Sequence, residues 1–481
     1  MKKISGRLPS FFIAIIPIVA LLITIISVII ADGAETAQAI SHFILLGAAI
    51  FTSALGITIY RCPLKNLLAG ITESARQILP AVPILVLIAT VSSTWMLSGV
   101  VPTLIDYGLA ILDPQWFLFI TCAVCSAISV LSGSSWTTIA TIGVAFMGIG
   151  KVMGYDVGWI AGAIISGSYF GDKISPLSDT TVLASSSCGV NLFKHIKYMM
   201  LTTTPAMLIA LAIYACVGLL CPTAEMVQSS SMITSLNTSF NITPLTLLIP
   251  AVTILMIILR IKTIVTLAVS STLGLAGIFL LQPQVVAALG GDEWRLGIQV
   301  LLTNTQLSTG DNLLDSLVST GGIEGMLPTI YLVLCAMLFG GTMIGTGMLA
   351  SITSSFTRRL HSTRSTVSAT VGSGLLLNSC TGDQYLSIIL GGNLYRNIYL
   401  RNGLEPRLLS RSLEDSISVT SVLIPWNSCG VTQATVLGVA TLTYFPYCIF
   451  NIASPLMSLL IAYTGWRIIV NKKIKPISPI G

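Results

Sequence analysis

The sequence predicts an all-α polytopic membrane protein with two internal repeats whose helices are broken at polar positions. Three observations lead there. Hydrophobic residues fill 54% of the 481 positions and charged residues only 9%, too few polar side chains to cover the surface of a soluble domain of this size. Apolar runs long enough to cross a bilayer, about 20 residues each, recur along the chain. One polar motif also occurs twice: Asp172-x-Ile174-Ser175-x-x-Ser178 is echoed 243 residues later by Asp415-x-Ile417-Ser418-x-x-Ser421.

The first apolar run, 8–30, follows Lys2, Lys3 and Arg7. It is too long for the core of a signal peptide and lacks a small-residue cleavage site, so it reads as a retained span. Further runs cover 39–60, 79–101, 116–131, 198–221, 245–259, 263–281, 327–350 and 436–463. Their length and lack of alternation argue against a β-barrel. Basic residues assign the sides of the membrane. The N-terminus, Arg61, Lys65, Arg76, Lys194, Lys197, Arg260, Lys262, Arg358, Arg359, Arg364 and the tail from Arg467 read as cytosolic, and the acidic stretch 283–326 as external. Both termini then face the cytosol, which requires an even number of crossings. The net charge of +6 is mostly this topological signal. The bases are scattered over loops, which speaks against nucleic acid as a partner. Cys122 and Cys125 lack a second pair and His42, His195 and His361 are far apart in sequence, so no zinc site or histidine relay is expected.

Some spans are bland and others are interrupted. After 116–131 comes Ser132-Gly133-Ser134-Ser135-Trp136-Thr137-Thr138, then two short apolar pieces, then the Asp172 motif. The second half repeats this plan: Asn378-Ser379-Cys380-Thr381-Gly382-Asp383-Gln384 is followed about 37 residues later by the Asp415 motif and Asn427. The 243-residue offset sets Ser135 opposite Asn378 and Thr138 opposite Thr381. Broken backbone at membrane depth is tolerated only against protein or a watery cavity. Interrupted segments at matching positions in two halves point to a transporter's binding site. The expected organisation is a single transporter domain with repeat one at about 65–221 and repeat two at about 327–465, inverted relative to each other. Segments 1–60 and 245–282 would be scaffold or additional spans. Gly340-Gly341-Thr342-Met343-Ile344-Gly345-Thr346-Gly347 has the look of a nucleotide loop, but no strand precedes it, so close helix packing through small residues is expected.

The polar residues suit a hard cation such as sodium, which takes oxygen ligands from carboxylates, hydroxyls and unwound carbonyls. Candidate ligands are Asp172, Ser175, Ser178, Asp179, Thr180, Thr181, Ser135, Thr137, Asn378, Ser379, Thr381, Asp383, Asp415, Ser418 and Asn427, with Asp172, Asp415 and Asp383 as the sodium-binding carboxylates. An ionisable group in a membrane is costly and therefore a functional hypothesis. A carboxylate that holds either a proton or a sodium ion is the minimal device for exchanging the two. The bland alternatives are a helix cap at Asp172 and a salt bridge from Glu414 to Arg407 or Arg411.

Gly167-Ser168-Tyr169-Phe170-Gly171-Asp172-Lys173-Ile174-Ser175-Pro176-Leu177-Ser178-Asp179-Thr180-Thr181 resembles the signature of the NhaC-type sodium/proton antiporter family. Gly133-Ser134-Ser135-Trp136-Thr137-Thr138, Gly382-Asp383-Gln384-Tyr385, Leu413-Glu414-Asp415-Ser416 and Ile424-Pro425-Trp426-Asn427-Ser428-Cys429-Gly430 match the same pattern in order. The resemblance implies a multi-pass secondary transporter of the cytoplasmic (inner) membrane, within the ion-transporter superfamily. It implies a scaffold domain, a transport domain with two re-entrant hairpins tipped near 133–138 and 378–383, an elevator-like shift and a homodimer. It implies sodium and protons as cargo and no cofactor. Many members have an asparagine after the double threonine, where this chain has Val182. That departure keeps a second reading open: sodium- or proton-coupled exchange or uptake of a small organic acid, of the malate/lactate type, or of an amino acid. An intramembrane protease lacks support, since neither Gly-x-Ser-Gly with a partner histidine nor Gly-x-Gly-Asp is found.

Overall fold

The computed structural model describes residues 9–220, 229–290, 292–310, 312–357 and 360–468. Lys2, Lys3, Arg7, Arg358, Arg359 and the tail lysines beyond Arg467, which carried part of the topology expectation, lie outside them. The described residues are helical, apart from turns and one isolated bridge between Thr305 and Thr320. Among the described residues, seven helices are long and apolar enough to cross a membrane, or eight if the bent pair near the C-terminus counts as one span.

The chain opens with α1, Phe11–Tyr60, which holds two apolar segments, Phe11–Gly33 and Ala39–Tyr60. Gly33 divides them at φ 87° and ψ 169°, a backbone region essentially closed to side chains. Next, α2 (Leu64–Ile78) passes through a 3₁₀ turn into α3 (Val82–Leu97), and α4 (Val100–Ile111) follows. Helix α5 (Phe117–Ser132) turns at Gly133 into α6 (Ser135–Thr138), a π turn (Ile139–Gly143) and α7 (Val144–Val152). Then come α8 (Val157–Ile174), α9 (Asp179–Ser187) and the long α10 (Leu192–Leu220). The middle holds α11 (Ser229–Ser239), α12 (Leu248–Ile258) and α13 (Thr263–Leu281). The acidic stretch folds into three short helices, α14 (Pro283–Leu289), α15 (Glu293–Leu302) and α16 (Asn312–Val318). The rest is α17 (Gly322–Gly345), α18 (Met348–Thr357), α19 (Thr363–Thr381), α20 (Gln384–Arg401) and α21 (Pro406–Leu413). A π turn (Glu414–Ser418) and a 3₁₀ turn (Ser421–Leu423) lead from α21 to α22 (Ser428–Leu437), α23 (Thr441–Tyr444) and α24 (Ile449–Thr464).

The glycine-rich run in α17 serves packing, as its small residues predict. A Cβ on Gly341 would fall 2.6 Å from the Ile71 backbone, and one on Gly70 2.4 Å from the Gly341 carbonyl. Glycine lets these two helices touch backbone to backbone. One face of α1 lies against α17, where Ala14, Ile18 and Leu21 join a cluster with Val333, Met337 and Met343. The opposite face leaves Ile23, Ile26, Ile30 and Phe43 exposed, as suits contact with hydrocarbon.

The two halves correspond, but not at the offset the repeated motif suggests. Left-handed glycines recur 249 residues apart: Gly133 and Gly382, Gly154 and Gly403, Gly189 and Gly438. Helix N-caps recur at the same spacing, Ser134 with Asp383 and Ser178 with Asn427. Ser129 Oγ donates to the Ser168 carbonyl at 2.6 Å, and Asn378 Nδ2 donates to the Ile417 carbonyl at 2.7 Å, again 249 residues on. The 243-residue echo is therefore a match of letters and not of places. Ser135 corresponds to Gln384, Asp172 to Ser421, and Asp415 to Ser166. The halves also pack reciprocally: α9 lies on α20 while α22 lies on the first half's π turn and α7, and α8 meets α24 while α10 meets α21. Reciprocal contacts of this kind are those of a pseudo-twofold pair.

Candidate cation site

Helix α5 stops because Gly133 adopts φ 67°, and Ser134 restarts the chain as a helix by accepting a hydrogen bond from the Thr137 N–H. The next residue, Ser135, aims its N–H and its hydroxyl at Asp172 near the end of α8. Asp172 Oδ2 accepts both, at 3.1 and 2.7 Å. A carboxylate at a helix N-terminus is held by free amide groups and by the helix dipole. Ser175 caps the end of α8 and donates to the Val130 carbonyl of α5 at 2.8 Å. The bend is closed by Ser178, the N-cap of α9, which also exchanges a hydrogen bond with Thr180 at 3.0 Å. Thr181 donates to the Lys173 carbonyl at 2.9 Å. These hydroxyls fix the backbone around Asp172.

Asp172 opens on a cavity of about 120 Å³. Asp179 and Thr180 line it together with Ser132, Gly133, Ser134, Trp136, Leu177, Thr263, Gln384 and Tyr385. A second cavity of about 180 Å³ shares Ser132, Leu177 and Thr263 with the first and extends past Thr137 to Arg260 and Lys262. The shared residues place the second cavity beside the first, on the side of the loop that joins α12 to α13.

The second tip is built alike but carries different chemistry. Asp383 caps α20 by accepting from the Leu386 N–H at 2.9 Å, and its other oxygen accepts from Ser428 at 3.3 Å. Thr381 donates to the Asp383 carbonyl, and Asn427 both caps α22 and donates to the Asn378 carbonyl at 3.3 Å. Ser379 donates within its own helix while its carbonyl accepts from Trp426. Asn378, Ser379, Thr381, Asp383 and Asn427 therefore hold the second tip in shape, and they are not among the residues lining the Asp172 cavity. What the second half brings to that cavity is Gln384 and Tyr385. In place of Asp172, its image Ser421 donates to Gln384 at 3.3 Å.

Asp415, expected beside Asp172, is not among the residues lining that cavity. Its Oδ1 accepts from Lys173, from Thr202 at 3.0 Å and from Ser454 at 3.1 Å. Arg411 faces Oδ2 at 3.8 Å. Lys173, Arg411 and Asp415 are all buried, so the Asp415 carboxylate faces a lysine and an arginine in the interior. Ser418 is also buried, with no partner for its hydroxyl, away from the cavity lining. Glu405, and not Glu414, pairs with Arg407. Ser132, Ser134, Trp136, Thr263, Gln384 and Tyr385 line the cavity and were missed from the sequence. Gln384 was recoverable from the repeat once placed at the right offset, since it is the image of Ser135.

The model of the Na+/H+ antiporter family matches residues 5–189 and 167–466. The Na(+)/H(+) antiporter NhaC of Alkalihalophilus pseudofirmus is 37% identical over 382 residues, which is 79% of this chain and 81% of that protein. The malate-2H(+)/Na(+)-lactate antiporter of Bacillus subtilis is 33% identical, covering 83% of this chain and 84% of its own. The arginine/ornithine antiporter ArcD of Halobacterium salinarum is 32% identical, covering 95% and 93%. A family match along most of the sequence, with relatives above 30% identity over most of their length, makes this chain a member of the Na+/H+ antiporter family.

Proposed function

We propose that this protein is a secondary active transporter that exchanges sodium for protons across the cytoplasmic membrane, with Asp172 as the carboxylate both ions use. The observation that carries the reading is the placement of Asp172: it stands at a helix–turn–helix tip, bonded to Ser135, and opens on a polar cavity shared by both halves. Sodium in that cavity would be held by Asp172 with oxygens from Asp179, Thr180 and Ser132. A proton on Asp172 removes the charge that holds the ion, so the two cargoes exclude each other. Matching breaks in two packed halves suit a site whose access alternates between the sides of the membrane. Segments 1–60 and 245–282 would form the scaffold, with both termini cytosolic and a second copy completing a dimer.

A second reading is exchange of an organic solute, since two of the relatives carry such names and Arg260 and Lys262 line the adjoining cavity. Purified protein in liposomes separates the two. Under the first reading, sodium alone collapses an imposed pH gradient, and Asp172→Asn abolishes the response. A response that appears only when malate, lactate, arginine or ornithine is added would replace the first reading with the second.

A further inference from the structure

An open cavity of about 520 Å³ lies away from Asp172, between the start of α19 and the end of α24. Ser362, Thr363 and Arg364 wall it on one side, and Tyr463, Thr464 and Gly465 on the other. Among the described residues, no acid lines the cavity and no ion pair includes Arg364. The Arg364 guanidinium stands over the Tyr463 ring instead, 5.9 Å from its centroid. An aromatic face attracts a cation without a carboxylate, so the positive charge at the wall stays uncompensated.

The surface leading to this cavity is apolar. Leu456, Leu460 and Tyr463 follow one another at i, i+4 and i+7 on α24, so they share one face of the helix. They are 58%, 53% and 56% exposed, as suits contact with hydrocarbon. Gly465 ends the helix at φ 73°. Trp466 and Arg467 follow, both exposed, with the Arg467 guanidinium 5.5 Å from the Trp466 ring centroid. Aromatic and basic residues at the end of an apolar helix mark the boundary between hydrocarbon and water. The cavity therefore sits at headgroup depth, with an apolar track running up to it. A soluble anion has a use for the guanidinium and none for the track. A phospholipid has a use for both, and basic pockets between helices at this depth suit anionic headgroups.

We propose that this cavity binds one anionic phospholipid, its phosphate on Arg364 and an acyl chain along Leu460 and Leu456. The inference stands apart from the exchange reading, because it uses neither the Asp172 cavity nor the tips. A lipid seated there joins the start of α19, whose far end is the second tip, to the end of α24.

The test uses the purified full chain in a neutral detergent: wild type, Arg364→Gln, Arg364→Lys, Leu460→Ser and Arg61→Gln. Native mass spectrometry follows titrations with phosphatidylglycerol and with phosphatidylcholine of the same acyl chains. Wild type should retain one phosphatidylglycerol per chain and bind phosphatidylcholine at least about fivefold more weakly, the effect of one basic side chain near an anionic headgroup. Arg364→Gln should lose that preference, and Arg364→Lys should keep part of it. Leu460→Ser should weaken both lipids alike, and Arg61→Gln, which removes an exposed base that does not line the cavity, should bind like wild type. An excess of glycerol 3-phosphate should leave the lipid in place. Equal binding of the two lipids by wild type overturns the proposal and needs no variant. So does an unchanged preference in Arg364→Gln, or an equal loss in Arg61→Gln. Displacement by glycerol 3-phosphate would also overturn it, by making the cavity a site for soluble phosphate.

Discussion

Asp172 Oδ2 accepts two hydrogen bonds from one residue, the N–H and the hydroxyl of Ser135. A hydrogen bond to a charged group contributes about 1.5–3 kcal/mol. Ser135→Ala removes one of the two and keeps the other, so half-saturation by sodium should rise roughly tenfold, read from a sodium titration of the pH-dye response; an unchanged titration would mean that Ser135 does not tune the site. Asp415 should answer differently, because its charge holds the protein together. Asp415→Asn strands Lys173 and Arg411 in the interior, and breaking such a pair costs about 3–5 kcal/mol. The melting temperature in detergent should fall clearly, and the double variant Lys173→Met/Asp415→Leu should recover part of the loss. A wild-type melting point for Asp415→Asn would remove the structural role assigned here. The contrast also shows what was legible. That Asp172 is special could be read from its setting of hydroxyls in an apolar chain. That Asp415 answers to Lys173 could not, because the pair spans 242 positions and depends on how the halves dock.

At the scale of elements, the turns were legible and their register was not. A glycine after a long apolar run, followed by a capping residue, marks a helix stop and restart, and both tips fall where that signal stands. The offset was misjudged because equivalent places in the two halves hold different letters: serine and aspartate both cap, as do serine and asparagine. Backbone angle and capping survive where side-chain identity does not, so Gly133 and Gly382 register the halves better than Asp172 and Asp415. The turns should accordingly be sensitive to size as well as to angle. At Gly133 a Cβ would meet Leu177 Cβ at 2.6 Å, whereas at Gly438, with a similar φ of 64°, nothing stands within 4 Å. Gly438→Ala should cost only the backbone strain, about 1–2 kcal/mol. Gly133→Ala should cost more and should stop exchange, because the clash pushes apart the two segments that frame Asp172. Melting curves and exchange rates of the two variants check this; equal behaviour would show that the tip is not tightly packed.

At the scale of the molecule, the question is which parts move past one another. The Asp172 cavity has mixed walls: Ser132, Ser134, Leu177 and Asp179 come from the first half's tip region, Gln384 and Tyr385 from the second, and Thr263 from the start of α13 in the expected scaffold. Leu177 and Thr263 also both line the adjoining cavity towards Arg260, one from the expected mobile part and one from the expected fixed part. If exchange requires the tips to travel relative to the scaffold, tying these residues together must stop it. In a background freed of accessible native cysteines, Leu177→Cys with Thr263→Cys, bridged by a short bifunctional thiol reagent, should lose sodium/proton exchange and regain it on reduction. Thr253→Cys with Ser270→Cys supplies the contrast. Those residues join α12 to α13, their hydroxyl oxygens 2.9 Å apart, and a link there stays within the expected scaffold and should leave exchange intact. Full activity with Leu177 and Thr263 linked would mean that these two parts do not move apart during transport, and that access to Asp172 changes by a movement of the tip alone.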